Sequence, residues 1–314
     1  MATDKLEQQL LDVLDTLSGL HPGFRPAHAK GLMCSGTFAP SPGAAKLTRA
    51  PHAARASTPV IVRFSDSTGL PTVADNDPKN AGPRGFAVRF YLGEHVHTDI
   101  VGHSHNGFPV HTGEEFLEML RAASVSGPEA TKPTPLDSFL ASHPHAKKFL
   151  EAPKPICSSF ARESYFAVTA FRFTSAEGKS RFGRFRIRPP EGNDYLTPEV
   201  AQKKSANFLF DEIDERIAKG PIELGVFVQL AEAADVPDDA TVAWPDSRPE
   251  VEFGMIALTQ RANDAEPEKR KIIFDPIPRV DGVDTAGDPL SEVRAAIYLL
   301  SGRRRRAATA AKGG

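Results

Sequence analysis

Arg294 and Tyr298, four apart in "SEVRAAIYLLSGRRRR", project from one face of a helical stretch. A guanidinium beside a phenol favours the phenolate, a hard anionic ligand suited to ferric iron, including the iron of haem. Taken alone, Arg-x-x-x-Tyr is a weak signal, because stacking on a solvated helix surface explains most such pairs. A single imidazole, His28, sits in "FRPAHAKGLMCSGTF", where a proline and glycines shape the backbone around it. It suits a general acid–base group and a hydrogen-bonded structural histidine equally well. A third group, "EHVHTDIVGHSHNGFPVH", packs His95, His97, His103, His105 and His111 into seventeen residues. An H-x-H pair on a strand turns both rings to one face, as a mononuclear metal site needs, but the spacing fixes no third ligand.

These side chains need a scaffold, and the sequence predicts one rich in strands. "PVIVRFSDS" (59–67) and "FAVRFYL" (86–92) alternate apolar and charged residues, so each should bury one face. "YFAVTAFRFTS" and "SRFGRFRIRPP" read as a hairpin around "AEGK", and "IELGVFVQLAEA" and "EVEFGMIALTQ" add two strands. Helical pattern occurs near 114–123, 197–218 and 289–300, and leucines at 6, 10, 14 and 17 mark an N-terminal helix within residues 1–20 that ends near Gly19 and Pro22. Strands in succession without βαβ alternation predict an α+β fold, an antiparallel sheet or barrel with helices outside it. No linker divides 1–314, so one domain is expected, with 307–314 as a flexible tail.

With 314 residues the chain can bury a substantial core, and 40% apolar and 25% charged residues are ordinary for a globular protein. A net charge of -2 argues against a generic binder of nucleic acid or membrane surfaces. Two cysteines, Cys34 and Cys157, are too few for a disulfide scaffold and suit a reducing cytoplasm. The N-terminus lacks the apolar core of a signal peptide, and no later stretch is long enough to span a bilayer.

Seven stretches in order, "HAKGLMCSGTF", "VIVRFSDSTG", "GPRGFAVRFYL", "DIVGHSHNGFPVHTGEEF", "ATVAWP", "IIFDPIPRVDGVD" and "RAAIY", together resemble the haem catalases from about residue 20 to 306. The resemblance implies a catalase-like haem barrel with surrounding helices and haem b as cofactor. The catalase N-terminal arm, wrapping segment and C-terminal helical domain do not fit in this length. The chain therefore looks like the small catalase-related haem peroxidases, expected as a monomer or homodimer.

Carried over by resemblance, His28 is the distal histidine and Ser65 the serine that hydrogen-bonds it. Tyr298 is the proximal tyrosinate on iron, and Arg294 keeps it deprotonated. Arg25, Arg63 and Arg305 pair with haem propionates, and Phe116 packs on the porphyrin. The distal asparagine that follows "D-x-V-G" in catalases is missing. Without a gap His103 takes its place, whereas Asn106 serves only if the loop bulges. The implied activity is reduction of organic hydroperoxides and hydrogen peroxide through a ferryl intermediate, with an organic electron donor, weak catalase turnover and a role in oxidative stress. A hydroperoxide-rearranging haem enzyme and a haem-binding protein without turnover are the alternatives. In "SEVRAAIYLLSGRRRR", Arg303, Arg304 and Arg306 are left without a partner and are expected to face water.

Overall fold

The computed structural model describes residues 5–262 and 271–310. In chain order the elements are α1 (Leu6–Ser18), β1 (Gly31–Pro40), α2 (Pro42–Leu47), β2 (Thr58–Ser65), β3 (Gly85–Gly93) and β4 (Val96–His103). Next come α3 (Gly113–Ser124), α4 (Pro135–Ser142), α5 (Pro144–Glu151), β5 (Tyr165–Phe166), β6 (Phe171–Thr174) and β7 (Ser180–Arg188). The last are α6 (Pro198–Ala201), α7 (Phe208–Lys219), β8 (Ile222–Leu230), β9 (Glu250–Arg261), β10 (Val283–Thr285) and α8 (Leu290–Ala310).

All strand pairings are antiparallel, and the order β7-β5-β4-β3-β2-β1-β9-β8 closes on itself through a β7–β8 ladder. This is a barrel of eight strands, with β6 and β10 extending from β7. Closure removes the free edges that an open sheet would expose.

Period-two alternation separates the two faces of the wall. Val60, Val62 and Phe64 of β2, Phe86, Val88 and Phe90 of β3, and Ile100 of β4 point into an interior crowded with phenylalanine. Phe38 meets Phe90 edge-on at 5.1 Å between centroids, and Phe173 meets Phe185 similarly at 5.3 Å, the geometry aromatic pairs prefer. The alternate residues, Ile61, Arg63 and Ser65 on β2, Gly85, Ala87 and Arg89 on β3, and Val101 and His103 on β4, face outward. The interior is therefore a filled core, and any site made from Arg63, Ser65 and His103 must lie outside the barrel.

Helices cover that outer face. Leu10, Leu11 and Val13 of α1 pack with Leu117 and Leu120 of α3 and Ile297 of α8. Gly19, at φ 81°, ends α1 and returns its N–H to Asp15. Thr112 and Glu115 close a capping box at the start of α3, which satisfies two otherwise unpaired donors. No helix among the described residues is long and apolar enough to cross a membrane.

Three expectations change. The helical pattern over 197–218 is two helices, because Asn76 takes the Ala201 and Lys204 carbonyls and Lys30 takes that of Ala206. The expected tail 307–314 is helical through Ala310, with 311–314 outside the described residues. Arg304 and Arg306 do not simply face water, since Arg304 forms an ion pair with Asp15 of α1 and Arg306 donates to the Lys271 carbonyl at 3.4 Å.

Candidate active site

Between the outer barrel face and the helices lies a cavity bordered by Arg25, His28, Arg63, Ser65, His103, Phe116, Arg294, Tyr298 and Arg305. Every residue that the catalase resemblance assigns, except Asn106, is in its wall. The barrel side is set by strand register. Ser65 of β2 pairs with Gly85 of β3, which pairs with His103 of β4, so the three stand in one row. The helical side is set by the period of α8, where Val293, Arg294, Ile297, Tyr298, Ser301 and Arg305 recur on one face.

His28 precedes β1 in a left-handed backbone conformation, φ 55°, which costs a non-glycine residue about 1–3 kcal/mol. Its neighbours hold it there. The His28 N–H donates to Ser67 at 2.8 Å, Ala29 donates to Thr68 at 2.9 Å, and Arg63 Nη2 donates to the His28 carbonyl at 2.8 Å. On the ring, Nδ1 lies 3.2 Å from Ser65 Oγ, and the Asp66 backbone is a further hydrogen-bond partner. Burial first, and Arg63 second, push this imidazole down to about 4, so it is neutral at neutral pH.

Two glycines leave room for this arrangement. A Cβ on Gly85 would fall 2.6 Å from His28 Nδ1 and collide with Ser65 Oγ, and one on Gly31 would collide with the Arg63 guanidinium. Sequence reasoning assigns neither a role. Their signal is the quoted "HAKG" and "PRGF", each glycine sitting beside a strand start.

His103 and Asn106 part company. His103 keeps the β4 register and stays in the wall, while the turn through Gly107, at φ 151°, carries Asn106 out of it. The His105 N–H donates to His103 Nδ1 at 3.3 Å, so the neutral ring carries its hydrogen on Nε2. Nε2 is shielded from solvent and has no partner among the described residues, and the same holds for Asn106 Oδ1. Burial, then the positive fields of His28 and Arg294, push His103 down to about 3. The remaining histidines scatter: His95 lies in an exposed turn, His97 is half-buried, and His111 bonds the Asp238 carbonyl at 3.2 Å. Among the described residues no three potential ligands gather into a metal site.

On α8, Arg294 Nη2 donates to Tyr298 Oη at 3.4 Å, with the guanidinium 5.8 Å from the ring centre. Arg25 and Arg305 both donate to the Ile272 carbonyl, at 3.0 and 3.2 Å, and Arg305 also reaches Ser301 Oγ at 2.8 Å. Burial and then Arg306 pull Arg305 down to about 10. The rest of the wall is apolar: Phe108 and Phe116 meet at 5.4 Å, beside Leu14, Ala87, Val101 and Ile297. The cavity thus combines two neutral imidazoles, one phenol beside a cation, and arginines around an apolar slot.

The chain is similar to known proteins. The catalase family model matches residues 15–312. A catalase-related peroxidase of Mycolicibacterium paratuberculosis is 32% identical across 93% of this chain and 92% of that protein. One of Synechococcus elongatus is 30% identical across 96% and 88%. A fungal catalase crystal structure superposes with a TM-score of 0.77 at 21% identity, covering 94% of this chain and 62% of that one. With the family model spanning nearly every described residue and the closed barrel shared, the chain belongs to the catalase family.

Proposed function

We propose that the chain is a haem-dependent peroxidase that reduces organic hydroperoxides and hydrogen peroxide, drawing electrons from an organic donor, with weak catalase turnover. The observation that carries this reading is the convergence on one cavity of a neutral His28 from the barrel and the Arg294–Tyr298 pair from α8. The wall fits haem by its chemistry. A phenol oxygen beside a guanidinium suits ferric iron, Arg25, Arg63 and Arg305 suit two carboxylates, and the phenylalanine-lined slot suits a flat apolar ring. A carboxylate beside Arg305 would also offset the burial that pulls that residue down.

Bound there, haem supplies the redox-active iron at which a peroxide O–O bond is split. The protein supplies the proton path. With Nδ1 engaged by Ser65, His28 presents Nε2 to the cavity as a base. It takes the proton from one hydroperoxide oxygen and returns it to the other, so that the leaving group departs as water or an alcohol. Positioned transfer of this kind contributes about 10² to 10⁴ in rate. Arg63 keeps the ring in place by holding its backbone carbonyl, and Arg294 donates a hydrogen bond to the Tyr298 oxygen. A neutral imidazole, His103, occupies the strand position where the family's distal amide is expected, and the similarity to two catalase-related peroxidases supports peroxidase over catalase chemistry.

The absorption spectrum of the purified protein tests the reading. A Soret band of high-spin ferric haem is expected, weakened or lost in Tyr298→Phe. A folded protein that takes up no haem, or a Tyr298→Phe variant with unchanged occupancy and spectrum, would overturn it.

A further inference from the structure

Behind the distal wall lies an ion cluster whose members each adjoin a residue of the site. Asp66 follows Ser65, Arg84 precedes Gly85, and Lys30 is two residues beyond His28. Asp66 is 0% exposed and Arg84 2%, and their charges meet in a direct ion pair. Arg84 also donates to the Ala81 carbonyl at 3.3 Å and to the Asp75 carbonyl. Lys30 Nζ donates to Asp75 and, at 2.8 Å each, to the Val73 and Ala206 carbonyls. It stands 3.9 Å from the second Asp66 oxygen, which accepts no hydrogen bond among the described residues.

Backbone contacts run from this cluster to both histidines. The Asp66 N–H donates to Lys30 at 3.0 Å, and the adjacent Ser67 and Thr68 carbonyls hold His28 and Ala29. Arg84 N–H donates to Ser104 Oγ at 2.9 Å, while Ser104 N–H returns to the Arg84 carbonyl at 2.8 Å. One guanidinium therefore grips the loop that supports the His28 ring and, through its own backbone, the turn next to His103.

Stability is a weak reason to bury such a pair. Desolvation of two charges offsets much of their attraction, and apolar replacements of both partners are often neutral or stabilising. What a rigid, directional pair does supply is a fixed backbone where His28 must stay in a costly conformation. We propose that Arg84 and Asp66 are positioning residues: their ion pair holds the segment from Ser65 to Thr68 against His28, with Ser65 Oγ 3.2 Å from Nδ1, keeps the ring's hydrogen on Nδ1 and leaves Nε2 as the base. This rests on the reading of the cavity as the site of peroxide chemistry, but its structural half can be measured without any bound group.

The test pairs charge removal with a stability control. In the full-length protein without haem, nitrogen NMR at pH 7.5 should show His28 in one tautomer, protonated on Nδ1. In Asp66→Leu/Arg84→Met it should show a mixture, while the melting temperature stays within a few degrees of wild type. In the haem-loaded protein, the same variant should lose roughly tenfold or more in the rate of the first spectral change with hydrogen peroxide, with the Soret band unchanged. If the double variant does not fold, Asp66→Asn decides, because it keeps an oxygen for Arg84 but not the charge; it should give a smaller shift in the same direction. A single His28 tautomer in every folded variant would overturn the proposal. A protein that shows the tautomer shift but binds no haem would overturn the functional reading and leave the positioning role standing.

Discussion

Two histidines are pushed down to about 4, His28 on the cavity wall and His52 inside the barrel, and in both the first cause is burial. His52 is 2% exposed among phenylalanines, its ring 4.8 Å from Phe90 and 5.6 Å from Phe253. Its Nδ1 has no partner among the described residues. His28 keeps part of its surface, facing the cavity, and its Nδ1 has Ser65 Oγ at 3.2 Å. Low proton affinity is thus common to a packing residue and a candidate base. Void space and a directed partner separate them, and a depressed value alone identifies neither.

Substitutions can widen or close that contrast. The largest expected effect is His28→Ala, which should lower the peroxide reaction rate by about 10² to 10⁴ in the haem-loaded protein, while His52→Leu leaves it within about twofold by stopped-flow absorbance. An equal loss in both would erase the distinction. His52 should instead be felt in acid, its share adding to those of His28 and His103. Its folded value, about 4, lies below the reference 6.5, so the unfolded chain binds the proton first. Its contribution is full above pH 6.5 and is lost as pH falls through about 4, amounting to roughly 3 kcal/mol. Urea unfolding at pH 8 and pH 4 should show that His52→Leu loses less stability across this window than wild type.

Gly85→Ala comes next. The added methyl must displace His28 or Ser65, and a misplacement of about 1 Å can cost about 10² in rate. A haem-loaded variant with a normal Soret band and a wild-type peroxide rate would contradict the tight packing at this row. Ser65→Ala is the mildest. Losing one neutral hydrogen bond, about 1 kcal/mol, should slow the reaction about fivefold; an unchanged rate would leave the Asp66 backbone as the effective partner of the ring.

Much of this site was legible because its residues obey short periods. Ser65 and Arg63 sit two apart on a strand whose alternation is plain, and Arg294 and Tyr298 sit one helical turn apart. β1 was harder, since "GLMCSGTFAP" mixes glycine, serine and proline with no charged face. The short helices α4 and α5, each begun by proline after a turn, gave too few turns for a period to register. What stayed hidden depends on contacts distant in sequence. The Asp15–Arg304 pair joins residues 289 apart, and Asn76 breaks a helix from 125 residues away. The choice between His103 and Asn106 required knowing where β4 ends.

The cavity draws Leu14 from the first helix, His28 from the loop that follows it, and Tyr298 and Arg305 from the last, and Arg304 fastens the two helices together. During synthesis the barrel wall and its row of Ser65, Gly85 and His103 leave the ribosome well before the opposite wall is made. The slot therefore comes into being only once the α8 residues Arg294, Tyr298 and Arg305 have been made, and any cofactor it holds would be captured after that point. A nascent chain stalled before residue 298 would carry His28 without Tyr298 or Arg305 in the wall.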